Sequence, residues 1–113
     1  MKVDKSLVSG STSMLILSLL DEKDMYGYQM IEELEKRSNN IFELKAGTLY
    51  PLLHGLEKQG YLESYDGKAE SNRPRKYYRL TRKGHSHLKD RKEEWSIFSK
   101  TINSIIGGAR SEY

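Results

Sequence analysis

The chain has 113 residues, a formal net charge of +3 and a hydrophobic content of 36%. A chain of this length forms one domain, and its modest apolar content favours a core that a second copy completes. Because cysteine is absent, a disulfide framework and a thiolate metal site are excluded, as expected in a reducing cytoplasm.

The first helix is predicted to start within residues 9–13, where serine, threonine and glycine can cap it, and to run to about Leu20. Its segment 14–20 is apolar on nearly all sides, so it should be covered by the rest of the domain or by a second subunit. The same segment is too short to span a bilayer, and no small-residue cleavage site follows it. We therefore expect a cytoplasmic protein that is neither secreted nor inserted in a membrane.

A polar turn at 21–24 is predicted to lead into a second helix from about Tyr26 to Ser38. Tyr28, Ile31 and Leu34 recur at helical spacing and form its expected buried stripe. The serine and asparagines that follow compete for backbone hydrogen bonds and should end it.

The third predicted helix, 45–60, is amphipathic in an unusual way. Its buried stripe consists of leucines at helical spacing, Leu49, Leu52, Leu53 and Leu56. The opposite face is small, aromatic and able to form hydrogen bonds, with Gly47, Thr48, Tyr50, Pro51, His54, Gly55 and Lys58. A solvated helix face would be richer in glutamate and lysine, so this face suits close approach to another surface. Pro51 lacks a backbone donor and predicts an irregular first turn or a slight kink.

A strand is predicted after this helix at 61–65, which is rich in aromatics and alternates in polarity, and a second strand at 75–80 forms a hairpin with it. The residues between them, 66–74, are almost devoid of apolar side chains and predict a long, mobile, basic loop. Six lysines and arginines lie within 73–83, which contains no acid. Residues 1–44 sum to −3 and residues 45–113 to +6, so the basic half begins with the third helix and favours a polyanionic partner.

The last helix is predicted over 82–106, with Thr81 as its N-cap. Its apolar residues follow heptad spacing, with Arg91 at the intervening position, and they are Leu88, Trp95, Phe98, Ile102 and Ile105. This helix is longer than a small domain needs, so a second copy is the expected partner of its seam. We therefore divide the chain into an N-terminal domain, 1–81, and a C-terminal dimerisation helix and tail, 82–113, within one compact unit.

The order of helix, helix, helix, β-hairpin and long helix is that of a winged helix-turn-helix, a mainly helical α+β fold. In this fold the third helix enters the DNA major groove, and the hairpin, or wing, lies along the backbone or minor groove. The polar face of the third helix and the basic hairpin both fit those roles. The sequence therefore predicts a protein that binds double-stranded DNA.

The chain also resembles the PadR-like transcriptional regulators over nearly its whole length. The matching motifs stand in the same order and at similar spacing, at 26–28, 47–53, 56–60 and 73–81. The resemblance implies a homodimeric DNA-binding regulator, usually a repressor, whose long C-terminal helix packs on the first helix of its partner. The single C-terminal helix resembles the short subgroup, some of whose members respond to drugs.

The candidate DNA-binding residues come from the second helix, the third helix and the wing. They are Tyr26, Lys45, Gly47, Thr48, Tyr50, Pro51, His54, Lys58, Arg73, Arg75 and Lys76. Each has a structural alternative: Thr48 and Tyr50 could cap and pack the third helix, and Tyr26 could belong to the core. Gly55 departs from the family, which commonly has arginine there, so Tyr50, His54 and the wing are expected to carry more of the recognition.

Trp95 has two alternative roles, dimer packing and ligand stacking. In the drug-responsive members that the chain resembles, a tryptophan at this place faces its symmetry mate across a central pore and stacks on flat aromatic ligands. The expected dimer residues are Leu15, Leu88, Trp95, Phe98, Ile102 and Ile105. The expected effector residues are Met14, Trp95, Phe98, Ser99 and Ile102.

The sequence predicts no enzyme, metal or cofactor. His85 and His87 are two apart on a helix and point to different sides, and no nucleophile–base pair or phosphate-binding glycine loop is found. Two rival functions remain open: a winged-helix module that binds an acidic protein partner, and a constitutive DNA binder whose dimer seam is packed solid.

Overall fold

A computed structural model of the chain describes residues 3–107. Its elements, in chain order, are α1 (Lys5–Glu22), β1 (Met25–Tyr26), α2 (Gly27–Arg37), α3 (Ala46–Lys58), β2 (Leu62–Lys68), β3 (Pro74–Leu80) and α4 (Arg82–Ile106). The mainly helical α+β class is thus confirmed. The tail that was assigned to the C-terminal segment lies, from residue 108 on, outside the described residues.

α1 begins earlier than the serine- and threonine-rich segment predicted. Asp4 is its N-cap, and the Asp4 carboxylate accepts a hydrogen bond from the backbone N–H of Ser6 at 2.8 Å. Hydrogen bonds from the backbone and the side chain of Ser6 hold the pKa of Asp4 below its usual value. The helix also continues through the first half of the predicted polar turn, to Glu22. Its apolar segment is covered as expected, since Ile16 and Leu17 are fully buried.

The predicted start of the second helix instead holds a short strand. Met25 and Tyr26 pair antiparallel with Tyr78 and Tyr77 of β3, so the sheet has three strands in the order β1-β3-β2. Two residues are too few to show a period of two, which is why the sequence predicted only a hairpin.

α2 buries a different stripe from the predicted one. Tyr28 is 51% exposed, whereas Met30 is fully buried beside Leu34. Tyr28 is therefore wrongly placed in the predicted core. Tyrosine and methionine are both compatible with a buried helix face, and only the packing of α2 against its neighbours distinguishes them.

α3 matches its predicted range and its predicted buried stripe. Leu49, Leu53 and Leu56 are buried and Leu52 is half-buried. The helix runs continuously through Pro51, so Pro51 does not interrupt its first turn, and the predicted slight kink stays a prediction. The carbonyl that loses its donor belongs to Gly47, which is exposed near the helix start, where water can bind it.

The wing strands are longer than predicted, and the loop between them is shorter. The β2–β3 ladder extends from Leu62↔Leu80 to Lys68↔Pro74, leaving only residues 69–73 as the connection. Hydrogen bonds from Ala69 to Arg73 at 3.0 Å and from Asn72 to Ala69 at 2.8 Å close that connection. Backbone pairing needs no apolar side chains, so the polar segment 66–68 forms a strand that its composition did not indicate.

α4 begins as predicted, because Thr81 accepts a hydrogen bond from the Gly84 N–H at 3.0 Å. Leu88, which was predicted on the dimer seam, is 3% exposed and belongs to the core of its own chain. That assignment is wrong because the first turns of α4 pack on the domain before the helix extends away from it. The overall dimensions, 60 × 32 × 21 Å, reflect this extension.

One hydrophobic core joins all four helices and the sheet. It places the outer face of α3 and the wing at the surface. Within residues 3–107, every helix is too short or too polar to cross a bilayer.

Candidate nucleic-acid interface

The outer face of α3 is exposed to solvent as predicted. The exposed residues on it are Gly47, Thr48, Pro51, His54, Gly55 and Lys58, and Lys45 is exposed at the N-cap. Neither glycine has a positive φ, and a Cβ at Gly47 or Gly55 would meet no atom of the described chain. The fold itself therefore does not require these glycines, although each costs a helix about 0.5–1 kcal/mol relative to alanine.

Tyr50 differs from the other residues predicted on this face because it is half-buried. Its phenol lies against Gly27, the first residue of α2, where a Cβ would overlap the ring and its hydroxyl oxygen. Gly27 therefore allows Tyr50 to pack α3 on α2. The same contact places the Tyr50 hydroxyl beside the start of α2.

At the starts of α2 and α3, the N-cap side chains of Tyr26 and Lys45 accept no hydrogen bond from the backbone of the helix. α1 and α4, in contrast, are capped by Asp4 and Thr81. Backbone donors at a helix N-terminus attract anions, since they coincide with the positive end of the helix dipole. The two helices of the helix-turn-helix thus retain donors that an external phosphate oxygen can accept from.

The side chain of Arg75, on strand β3 of the wing, lies over the ring of Tyr26 at the start of α2. Its guanidinium carbon lies 5.1 Å from the centroid of the Tyr26 ring. The Arg75 Nε is buried and has no hydrogen-bond partner within residues 3–107. Stacking on Tyr26 therefore fixes the position of this cation without using its hydrogen bonds.

The cations of the wing lie mainly on β3 and not at its tip. Arg75 and Lys76 are strand residues, and only Arg73 lies in the short connection, which also contains Glu70. Arg79 is paired with Glu63 at 2.8 Å. Arg73, Arg75 and Lys76 form no ion pair with any described residue, so their charges remain available to a ligand.

Three tyrosines cross the outer face of the sheet, one from each strand. The Tyr26 and Tyr77 rings meet edge to face at 5.5 Å, and the Tyr77 and Tyr65 rings stack at 5.7 Å. Tyr65 donates a hydrogen bond to Asp24 at 2.5 Å, and this bond raises the pKa of Tyr65 above its ordinary value. Tyr65, Tyr77 and Gly27 were not among the residues predicted at this site, although strand alternation places Tyr65 and Tyr77 on the face of Arg75.

The part of α4 beyond the core exposes a row of large apolar side chains. Trp95 is 49% exposed and Phe98 57%, and their ring centroids are 6.1 Å apart. Ile102 and Ile105 continue this row, and together these four residues are called the α4 seam. Ser99 is half-buried beside it, whereas Met14 and Leu15 of α1 are half-buried against the core.

The two histidines of α4 both contact side chains outside α4. His85 Nδ1 lies 2.9 Å from Asp21 of α1, and the His87 ring stacks on Tyr61 at 4.0 Å. Within residues 3–107, no group of three or more histidine, aspartate or glutamate residues could hold a metal ion.

The model of the Transcriptional regulator PadR-like family matches residues 16–90. This range runs from within α1 to the third turn of α4 and includes the outer face of α3 and the whole wing. A relative from Lysinibacillus sphaericus, described as uncharacterized protein X, is 36% identical over 94% of this chain and 97% of its own length.

Solved structures share the whole architecture. A transcriptional regulator from Clostridium thermocellum superposes with a TM-score of 0.83 at 35% identity, over 93% of this chain and 99% of its own. A PadR family transcriptional regulator from Eggerthella lenta gives a TM-score of 0.78, also at 35% identity, over 89% and 86%. These matches extend over nearly the whole chain, and the predicted winged-helix fold is confirmed.

Proposed function

The chain belongs to the PadR-like family of transcriptional regulators, and we propose that it is a homodimeric repressor that binds a palindromic operator. The family consists of regulators and not of enzymes. One observation supports the DNA-binding part of the proposal most strongly. Nothing within residues 3–107 requires Gly47 and Gly55 on the exposed face of α3, and the wing of the same domain carries three cations without an ion pair among the described residues.

The outer face of α3 is proposed to read bases in the major groove. Thr48 and His54 carry donors and acceptors for base edges, while Gly47 and Pro51 add little bulk and allow close approach. Lys45 and Lys58 lie at opposite ends of the helix, where they can contact the phosphates that border the groove.

Tyr50, Tyr26 and the wing are proposed to contact phosphates. Tyr50 presents its hydroxyl beside the start of α2, which offers uncapped backbone donors. Arg75 is prearranged by stacking on Tyr26, so little side-chain entropy is lost when it binds a phosphate. Arg73 and Lys76 supply further charge along the same backbone.

The homodimer is proposed to form through the α4 seam. Trp95, Phe98 and Ile102 are large apolar residues at heptad spacing, and they stay exposed in a single chain. Half-buried Leu15 on α1 would receive the partner's α4. In this arrangement the domain 1–81 binds DNA, and the C-terminal segment 82–113, through α4, sets the distance between two half-sites about 34–36 Å apart.

A flat aromatic effector is proposed to bind at the centre of the dimer. Trp95 and Phe98 offer ring faces, Ile102 and Met14 apolar walls, and Ser99 a hydroxyl. Binding there would change the separation of the two α3 helices and release the operator, because half-site spacing must match the helical repeat.

Binding to the promoter region of the protein's own gene, measured by fluorescence anisotropy over a range of salt concentrations, tests the proposed function. We expect saturable binding that is tighter than to an unrelated duplex and that weakens steeply with salt. Equal affinity for all duplexes at every salt concentration would contradict an operator-specific repressor. Absence of DNA binding together with capture of an acidic protein would favour the protein-interaction module instead.

Replacing Arg75 by alanine is expected to weaken binding to every DNA sequence by a similar factor. Because Arg75 is proposed to neutralise one phosphate, the slope of log affinity against log salt should become shallower by about one. The same titration measures both effects. Arg79→Ala is the matched control, since Arg79 lies on the same strand but is paired with Glu63. A preserved slope in Arg75→Ala would contradict the phosphate contact.

Planar hydrophobic cations are expected to quench the fluorescence of Trp95, the protein's single tryptophan. Quenching should follow a saturation curve and be accompanied by loss of operator binding at the same ligand concentrations. Unchanged fluorescence across a broad ligand panel would contradict the effector site and favour a constitutive DNA binder. A Phe98→Ala variant should weaken the quenching, because it removes the adjacent ring.

A further inference from the structure

The end of α3 leads into β2 through a fixed turn, Gly60–Tyr61. The backbone N–H of Tyr61 donates to the Leu56 carbonyl at 3.0 Å, and that of Gly60 donates to the Glu57 carbonyl at 2.9 Å, which together form a Schellman motif. Gly60 adopts a φ of +85°, a conformation that glycine accepts without strain. The position of this turn is therefore tied to the last turn of α3.

The first turn of α4 packs directly on this turn. The hydroxyl of Thr81 donates to the Gly60 carbonyl at 2.6 Å, and the backbone N–H of Thr81 donates to the Tyr61 carbonyl at 3.1 Å. Gly84 lies so close that a Cβ would overlap the Tyr61 carbonyl oxygen. Since backbone lies against backbone here, α4 cannot slide along the end of α3 without breaking the Thr81 hydrogen bonds.

Two side chains of α4 also contact the second residue of this turn, Tyr61. The His87 ring stacks on the Tyr61 ring at 4.0 Å with an interplanar angle of 6°. The ammonium of Lys83 lies 5.3 Å from the centroid of the Tyr61 ring and donates to the Gln59 carbonyl at 2.9 Å. Two successive turns of α4 thus contact Tyr61 and the residue before Gly60.

We propose that these residues form a rigid α3–α4 joint, which makes α3 turn with α4 as one body and thereby sets the half-site spacing that the dimer accepts. The α3–α4 joint consists of Gly60, Tyr61, Thr81, Lys83, Gly84 and His87. This inference rests on the proposed dimeric DNA-binding function. Tyr61, Gly84 and His87 are accordingly positioning residues that act through α3.

α4 also packs on α1. Leu88 is buried in the core that α1 shares, and His85 Nδ1 lies 2.9 Å from Asp21 of α1. α4 is therefore fixed to α1 as well as to the end of α3.

The dependence of affinity on half-site spacing tests the joint. An operator selected from a random duplex pool is remade as a single half-site and as palindromes whose spacing differs in steps of one base pair. Each step moves a half-site by about 3.4 Å and rotates it by about 35°. The variants are Tyr61→Leu, which removes the ring that His87 and Lys83 contact, and Gly84→Ala, which forces α4 away from Tyr61. Ser86→Ala is the control, since Ser86 is exposed on the same turn of α4.

Wild type and Ser86→Ala are expected to share one sharp spacing optimum. Tyr61→Leu should bind the single half-site within about twofold of wild type but lose about tenfold at the optimal palindrome, with a flatter spacing profile. Gly84→Ala should move the optimal half-site spacing. If Gly84→Ala does not fold, the result for Tyr61→Leu tests the joint by itself.

An unchanged spacing profile in Tyr61→Leu would overturn the joint, and so would an equal loss on half-site and palindrome, because that loss indicates general destabilisation. Failure of the wild-type protein to bind any duplex would instead overturn the DNA-binding proposal on which the joint rests.

Discussion

Replacing Trp95 and Ile102 together by glutamate is expected to convert the protein into a monomer and to lower its operator affinity by more than about a hundredfold. Both side chains are large, apolar and exposed in a single chain, at 49% and 39%. In the proposed dimer they become buried, so each glutamate would place an unpaired charge in an apolar seam. In the monomer both positions already face water, so the fold of each chain should remain.

Sedimentation or light scattering gives the mass of each variant, and anisotropy on the operator gives its affinity. Ile97→Glu is the matched control: Ile97 is 69% exposed on the same helix, but at about 100° per residue it lies well away from the α4 seam. It should stay dimeric and bind normally. A dimeric Trp95→Glu/Ile102→Glu variant would show that the dimer forms through another surface.

The substitution Tyr50→Ala is expected to reduce operator affinity by about a hundredfold while the dimer stays intact, because it removes both the hydroxyl that is proposed to contact a phosphate and the ring that packs α3 on α2. The ring packs against Gly27, so the variant should also unfold at a lower temperature. Affinity, mass and thermal unfolding are measured on the same preparation.

Tyr50→Phe separates the two roles, since it keeps the ring on Gly27 and removes only the hydroxyl. We expect it to retain wild-type thermal stability and to lose about tenfold in affinity, which is the usual effect of one hydrogen bond to a charged group. Normal binding by Tyr50→Phe would assign Tyr50 to packing alone. Normal binding by Tyr50→Ala would contradict the whole proposal for the α3 face.

The helices could be predicted from the sequence because their signals are local. The spacing of Leu49, Leu53 and Leu56 determined which side of α3 is buried. Thr81 determined where α4 begins, and Gly60 where α3 ends, since capping depends on a few neighbouring residues. The exposed α3 face and the apolar row from Trp95 to Ile105 followed from the same periodicity.

The predictions were wrong where the structure of a segment depends on which other elements pack against it or pair with it. Leu88 fits the heptad of the seam as well as Trp95 does, but only Leu88 lies on the part of α4 that the domain covers. Segment 66–68 is polar and was predicted as loop, yet it pairs with β3 because its partner strand lies alongside. β1 exists only through its pairing with Tyr77 and Tyr78.

The sequence by itself thus determined the element order, the buried side of α3, the basic hairpin and the apolar seam, since each depends on residues close together in the chain. Only the tertiary structure decided that Tyr50 packs on Gly27, that Arg75 stacks on Tyr26, and that Tyr61 joins the end of α3 to α4. These contacts link residues that are distant in sequence. Local propensity contains no information about them, because they arise when separate elements share one core.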